Sequence, residues 1–236
     1  MDSGIVVALI AAFGGLLTSM YTLQRQGIQA AKFEHLKHAL DEESQEKQRK
    51  IDAIEYLDRF REPLLHAAAD LKFRINNIRQ RGFLVLYVRS DDESRRRVAL
   101  LGTLYRFGRY WAVGESLYTL VDVVRFERDE DTKAVSDLLI LIASEFATDS
   151  PDNGRLMVWR DEQHAIGELM MREGGIGSIG FAKFTASYEA ELSTWFSSME
   201  RDLQSDRIEE SARLRHLENL LGQLVEQLNK GRREAL

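Results

Sequence analysis

The chain has 236 residues, of which 44% are hydrophobic and 30% are charged, a balance typical of a globular protein. Its formal net charge of -6 argues against broad nucleic-acid binding, which normally needs a basic face. The absence of cysteine excludes disulfides and thiolate sites, and the presence of only two prolines favours long helices.

The first predicted element is a transmembrane helix, and we assign residues 1–23 to a membrane anchor. Residues 4–23 form an uncharged, mainly apolar run. At about 1.5 Å per residue, this run is long enough to cross a hydrocarbon core about 30 Å thick. A cleaved signal peptide would need a basic start and a small-residue cleavage site, and a buried core helix usually carries a polar stripe. Because these features are missing, the sequence favours a single-pass span in a lipid bilayer.

The charges beside this span predict its orientation. Arg25, Lys32 and Lys37 follow the apolar run, whereas Asp2 is the only charged side chain before it. Because positive residues near a span stay on the cytoplasmic side, we expect the N-terminus outside the cell membrane. The C-terminal body would then lie in the cytoplasm, at the cell (inner) membrane.

One face of the predicted span carries small residues. Ala11, Gly15 and Ser19 are four positions apart, so they share one side of a helix. Such a face allows two helices to approach closely in lipid, which predicts a homo-oligomer. The alternative is chance, because glycine and alanine are common in membrane helices.

Residues 24–62 predict a helical stalk. They are rich in good helix formers, and residues 41–50 are polar on every side. A helix of this kind stands in solvent or is bridged by ion pairs, and it would be about 58 Å long if fully formed. The apolar pattern is interrupted at the polar stretch. The sequence therefore leaves open a short or imperfect coiled coil and a single solvated helix.

Residues 63–236 predict an all-α body, a cytosolic multi-helix bundle. Pro63 marks a restart or a kink, and the apolar stripe that follows it ends at Gly82, a plausible C-cap. Residues 83–88 are ambiguous between strand and helix, and we favour helix because no partner strand is evident. Ser90, followed by acidic residues, predicts the start of a helix that reaches about Arg125.

The remaining helices follow from the same signals. Acidic residues at 129–131 open a helix whose run 138–143 is apolar on all sides, so we expect it to be the central core helix. A turn leads to a short extended piece at residues 156–159. Further helices are predicted from 160 to about 173, from 183 to about 203, and from 208 to about 229. The last helix has a near-heptad leucine seam and ends at Gly231 and two arginines.

The best candidate for chemistry lies on the helix that begins near residue 160. Arg160, Glu162, His164 and Glu168 cluster there, and the last two are four apart and share a face. Such a pair can hold a metal or serve in acid–base catalysis, and surface ion pairs explain the same residues. A second set of ligands is not evident, so we predict no resident metal and no cofactor.

Two other patterns have simpler explanations. Residues 175–180 fit G-x-G-x-x-G, but a helix and not a strand precedes them, so we interpret them as a turn and not as a dinucleotide site.

A basic patch lies on the long predicted helix and consists of Arg95, Arg96 and Arg97, with Arg106 and Arg109. This patch could contact anionic lipid headgroups or a partner, and pairing with acidic residues of the body is the preferred interpretation. The aromatic residues on the same helix are expected in the core and not in a ligand cage: Tyr105, Phe107, Tyr110, Trp111 and Tyr118.

Several stretches resemble a group of uncharacterised bacterial proteins that are often membrane-anchored and mainly helical. The resemblance is carried by residues 104–117, 145–149, 159–170 and 174–184. It implies an anchored bacterial protein, carries no activity and transfers no functional residue.

Two functions remain as hypotheses. The first is a non-enzymatic, membrane-tethered scaffold that self-associates through the span, the stalk or the last helix and presents its body to an unknown protein partner. The second is an enzyme or ligand sensor that uses the segment from Arg160 to Glu168, as in a bacterial stress or phage-defence system. The sequence lacks the usual motifs of nucleotide, protease, hydrolase and kinase sites, which favours the first.

Overall fold

The structure is a computed structural model, and it divides the chain into two units, Met1–Asp52 and Ala53–Leu236. The residues that it describes are 37, 40–48, 51, 59–120, 130–150, 154–174 and 176–234.

The described part of the first unit belongs to the predicted stalk. Residues 40–48 are helical and exposed, and Lys47 lies 2.8 Å from Glu43 in an ion pair one helical turn apart. These residues are helical, as predicted, and the choice between a coiled coil and a single solvated helix stays a prediction.

The predicted membrane helix at residues 4–23 lies outside the described residues, together with its packing face at Ala11, Gly15 and Ser19. Within the part of the chain that the structure describes, no helix is long and apolar enough to cross a bilayer.

The second unit is all-α over its described residues, as predicted. Its elements are helix α1 (residues 59–80), a π-helical turn (Leu84–Val88), α2 (Glu93–Leu120), α3 (Glu130–Ala147), α4 (Arg160–Met170), α5 (Phe181–Ser187), a second π-helical turn (Tyr188–Leu192), α6 (Ser193–Gln204), a 3-10 turn (Ile208–Glu210) and α7 (Ala212–Glu234). No strand occurs in these residues, so the helical interpretation of residues 83–88 is confirmed.

Helix α2 is the centre of the body. It packs most extensively on α4 and also contacts the first π-helical turn, α5 and α6. Glycines allow the close approach of α2 and α4: a Cβ atom on Gly167 would lie 2.9 Å from that of Glu115, and one on Gly108 would collide with Met170. Side chains on both helices are therefore held at short, fixed separations.

The prediction that the apolar run of α3 forms the central core helix is wrong. Ile142 is fully buried, but Ile140 and Leu141 are 45% and 52% exposed. Helix α3 packs mainly on α7 and less on α4, so one of its faces remains open. An apolar run is compatible with burial on every side, but the burial itself depends on how many neighbouring helices cover the run. The local sequence does not contain that information.

Several helix ends differ from the predictions by a few residues, and those of α2 and α7 show why. The N-cap of α2 is Asp92 and not Ser90, because Oδ1 of Asp92 accepts a hydrogen bond from the backbone N–H of Arg95 at 3.1 Å. The predicted end near Arg125 lies outside the described residues. Helix α7 continues through Gly231 to Glu234, so the predicted stop at Gly231 is wrong.

The leucine seam of α7 is part of the core of the body. All of its leucines are at most 1% exposed: Leu214, Leu217, Leu221, Leu224 and Leu228. Helix α7 packs on α3, and the side chain of Glu218 accepts a hydrogen bond from Asn76 of α1 at 2.8 Å. The seam is therefore packed within the body, and self-association through the last helix stays a prediction.

Helix α1 is continuous through Pro63, so no new helix begins there. Phe60, which lies within the predicted stalk, is buried in the core of the body. Gly82, with φ +64°, follows the helix in the left-handed conformation expected of a glycine C-cap. This turn leads directly into the first π-helical turn, which packs on α2 and α6.

Candidate functional site

One of the described cavities is an open groove of about 670 Å³, which we call the α1–α2 groove. Helices α1 and α2 form its sides, and the first π-helical turn and the start of α5 complete its wall. Its volume falls within the range of about 300–1,000 Å³ that is typical of small-molecule sites. The lining residues that define its chemistry are Asp70, Arg74, Phe83, Arg95, Tyr105, Arg106 and Phe181.

Arg74 of α1 is the central basic group of this groove. Its guanidinium lies 3.9 Å from the centre of the Phe83 ring, and its Nη1 donates to the hydroxyl of Thr103 at 3.4 Å. Among the described residues, no carboxylate lies within ion-pair distance of Arg74. Burial, followed by repulsion from Arg106, lowers the pKa of Arg74 to about 10, against an opposing effect of Asp70.

Asp70 partly neutralises the positive charge of the arginines on α2. Its Oδ1 accepts a hydrogen bond from Nε of Arg106 at 3.0 Å, and Arg109 approaches Oδ2 at 3.5 Å. The Nη1 of Arg106 also donates to the carbonyl oxygen of Gly102 at 2.6 Å, one turn back along α2. These contacts hold Arg106 against the groove wall and leave Arg74 as the least neutralised cation.

The apolar part of the groove is formed by aromatic rings. The hydroxyl of Tyr105 donates to the carbonyl oxygen of Ile179 at 3.0 Å, which fixes its ring beside the start of α5. The rings of Tyr105 and Phe181 are 5.4 Å apart and meet edge to face. Val98 lines the groove and is 58% exposed, so apolar surface continues to the rim.

The sequence-predicted site on α4 forms a different and much smaller cluster. His164 Nδ1 lies 2.6 Å from Oε2 of Glu115 on α2, and the ring of Tyr118 is 6.4 Å away. Burial raises the pKa of the Tyr118 phenol, nearby Arg160 lowers it and Glu115 raises it. The adjoining cavity has a volume of only about 40 Å³, close to the space taken by one water molecule. The short contact can move a proton between the imidazole and the carboxylate, and a ligand larger than water would have to lie against the exposed side of His164 and not inside this cavity.

The other predicted residues on α4 have separate contacts. Glu162 accepts a hydrogen bond from the backbone N–H of Trp159 at 2.7 Å, so it caps its own helix. Arg160 donates to Oγ of Ser144 at 3.1 Å and so ties α4 to α3. Glu168 is exposed and does not contribute to the His164–Glu115 pair. The described residues contain no group of three His, Asp or Glu side chains that could hold a metal.

The basic patch is largely paired, which confirms the preferred interpretation. Arg95 lies 3.2 Å from Asp92, and Arg97 forms an ion pair with Glu189 of the second π-helical turn. Arg96 is exposed. Contact of Arg95, Arg96 and Arg97 with lipid or a partner remains a prediction.

The G-x-G-x-x-G segment is a turn, as predicted. It connects α4 with α5, and an isolated antiparallel bridge joins Met171 to Ser178. Gly177 has φ +114°, a conformation that favours glycine. Because a helix precedes the segment, it does not have the strand–turn–helix geometry of a dinucleotide site.

The aromatic residues of α2 divide between core and cavity. Phe107, Tyr110 and Trp111 are buried as expected, and the last two also border the small cavity beside His164. Tyr105 lines the α1–α2 groove, and Tyr118 lines the small cavity.

Sequence reasoning missed the residues that complete both clusters. Asp70 and Arg74 lie on an ordinary amphipathic helix, and Glu115 is 49 positions from His164. The four-residue spacing of Asp70 and Arg74 placed both on one face of α1, but that spacing is equally typical of a surface ion pair. Their partners on α2 are revealed only by the packing of the helices.

No protein-family model, curated protein or solved structure matches this chain. The resemblance to anchored bacterial proteins therefore remains a prediction from the sequence, and the candidate function rests on the geometry of the chain itself.

Proposed function

We propose that this chain is a single-pass, membrane-tethered interaction protein whose cytoplasmic helical body binds an anionic partner or ligand in the α1–α2 groove. The supporting observation is a ligand-sized groove in which Arg74 faces aromatic surface without a carboxylate partner among the described residues. A buried or half-buried cation is normally paired, so an anion would complete this environment.

The tether is supported by the uncharged run at residues 4–23 and by the basic residues after it. We expect the full chain to remain in the membrane fraction after extraction at alkaline pH. Protease added to intact cells should leave the C-terminal body uncut, and protease added to inverted vesicles should remove it. A chain that is released by alkaline extraction, or digested from outside the cell, would contradict this part of the proposal.

Recognition through the groove can be tested by site-specific photo-crosslinking in cells. A benzophenone amino acid at Val98, which is exposed on the groove rim, should yield an adduct that mass spectrometry resolves. The matched control is the same amino acid at Gln223, which is exposed on α7 and does not line the groove. Equal adducts at the two positions, or none at Val98, would count against binding in the groove.

Self-association is the least supported part of the proposal, since the seam of α7 is buried. It depends on the predicted span and stalk. A chain that runs strictly as a monomer in detergent at high concentration would remove it without affecting tethering or groove binding.

A second candidate function is an enzyme or ligand sensor centred on His164. The 2.6 Å contact between His164 and Glu115 favours it, because such a pair can move a proton. His164→Ala and Glu115→Gln should then abolish cellular function while the folded structure is retained. Intact cellular function in both variants would reject the enzyme or sensor hypothesis and favour the interaction protein.

A further inference from the structure

We propose that the α1–α2 groove binds a phosphate monoester that is attached to an aromatic or other apolar group. This inference rests on the groove-binding function proposed above and specifies the chemical class of its ligand. It is carried by the charge balance of the groove, by the position of Arg74 and by the apolar surface around it.

The charge balance favours a dianion. Three arginines and one aspartate line the groove, so the lining side chains have an excess of two positive charges, of which that of Arg95 is partly offset by the exposed Asp92 at 3.2 Å. A phosphate monoester carries about -1.5 to -2 charges at pH 7, whereas a single carboxylate carries only one. The planar guanidinium of Arg74 can donate two parallel hydrogen bonds to phosphate oxygens.

The position of Arg74 favours a ligand that enters from the groove. Its guanidinium is supported on one face by the Phe83 ring and contacts Thr103 through a long hydrogen bond of 3.4 Å. The pKa of Arg74 is lowered chiefly by burial and by Arg106, which means that a nearby anion would stabilise its charged form. Arg106, already bound to Asp70 and to the Gly102 carbonyl, would supply the second positive charge from the opposite side.

The apolar lining requires more than a phosphate ion. Phe83, Val98 and Phe181 lie in the same groove, and its volume of about 670 Å³ is far larger than one phosphate needs. A ring or short chain attached to the phosphate would cover these side chains and remove their surface from water.

Titration calorimetry on the full chain in a neutral detergent tests the proposal with three probes. Phenyl phosphate contains both parts of the ligand class, inorganic phosphate contains only the anion, and benzyl alcohol contains only the ring. We expect phenyl phosphate to bind at least tenfold more tightly than either of the others. Equal binding of phenyl phosphate and inorganic phosphate would overturn the apolar half of the assignment, and absence of saturable binding would overturn all of it.

Two matched pairs of variants locate the site. Val98→Asp places a carboxylate on the exposed rim and should weaken phenyl phosphate binding at least tenfold, whereas Val98→Asn should not. Arg74→Gln should weaken phenyl phosphate binding by a similar factor, whereas Arg215→Gln, at an exposed position of α7, should not. If Arg74→Gln fails to fold, the Val98 pair decides the question, because both changes are at an exposed position. Equal affinities of the Asp and Asn variants would place the ligand elsewhere and overturn the proposal.

Competition identifies the source of the phosphate monoester. Displacement of phenyl phosphate by adenosine monophosphate would indicate a soluble nucleotide, and displacement by lipid nanodiscs that contain phosphatidic acid would indicate a lipid headgroup. If neither displaces it, both of these sources of the phosphate monoester are wrong. A photo-crosslink at Val98 in cells combined with no phenyl phosphate binding would leave groove recognition standing and reject only this ligand class.

Discussion

Asp70 of α1 and Arg106 of α2 are joined by a hydrogen bond of 3.0 Å between Oδ1 and Nε. Both side chains are about one-third exposed or less, and Arg109 approaches the second carboxylate oxygen at 3.5 Å. The same carboxylate therefore connects the two walls of the α1–α2 groove and removes one positive charge from it.

The first prediction follows from this double role. Asp70→Asn should lower the free energy of unfolding by about 1 kcal/mol, because the ion pair between α1 and α2 is lost. The same change should tighten phenyl phosphate binding about tenfold, because the groove gains a net positive charge. Asp137→Asn is the control, since Asp137 pairs with Lys133 on the exposed surface of α3. A variant at Asp70 that loses both stability and affinity would contradict the assigned role of the groove charge.

The second prediction concerns the close packing of α2 and α4. An alanine at Gly167 would bring its Cβ to 2.9 Å from that of Glu115 and to 3.1 Å from the Trp111 carbonyl oxygen. We expect a loss of about 1–3 kcal/mol in the free energy of unfolding, measured by urea denaturation. Gly114→Ala on α2 meets open space and should instead stabilise the helix by about 0.5–1 kcal/mol. Similar effects of the two changes would refute the proposed contact.

The third prediction concerns the buried Arg213. Its guanidinium donates to the carbonyl oxygens of Glu145, Phe146 and Thr148 at 2.6 to 2.8 Å, and so satisfies the C-terminal end of α3. Arg213→Met keeps the bulk of the side chain but leaves these acceptors without the guanidinium. Thermal and urea unfolding should show a loss of about 2–4 kcal/mol. The exposed Arg215→Met should remain within about 0.5 kcal/mol of the parent chain, and a comparable loss there would argue against a specific role for Arg213.

The fourth prediction concerns stability at alkaline pH. Burial, together with the 2.8 Å hydrogen bond to Glu200, raises the pKa of the Tyr188 phenol well above its ordinary value of about 10. Above that pH the unfolded chain releases this proton while the folded chain retains it. Folding stability should therefore fall as pH rises, by up to about 1.4 kcal/mol per pH unit from this group.

Tyr188→Phe removes the titrating group and isolates its contribution. At pH 8 the variant should be about 1 kcal/mol less stable, because the hydrogen bond to Glu200 is lost. At pH 11 this deficit should shrink or reverse. Ionisation of Tyr188 in the unfolded state then destabilises the parent chain, and the variant has no phenol to ionise at this position. An equal deficit at the two pH values, measured by urea denaturation, would contradict the assignment.

The helical class and most helix positions of the body could be predicted, because they depend on local periodicity and on capping residues. The start of α2 was misplaced by two residues since Ser90 and Asp92 are both good caps, and only the backbone geometry selects Asp92. The exposure of Ile140 and Leu141 could not be predicted, because it depends on which neighbours cover α3.

The candidate sites depended still more on tertiary packing. His164 was identified from its spacing with Glu168, but its partner is Glu115 on α2. Arg74 has no distinctive motif around it, and its significance comes from the Phe83 ring and from the shared wall with Arg106. Residues that lie far apart in the chain create these environments, so no local pattern contains them.

The most direct test of the central claim is a crystal structure of the full chain with phenyl phosphate bound. The proposal predicts phosphate oxygens within about 3 Å of the Arg74 guanidinium nitrogens and a phenyl ring against Phe83 or Phe181. Phosphate bound only to the exposed Arg96, or located beside His164, would contradict it.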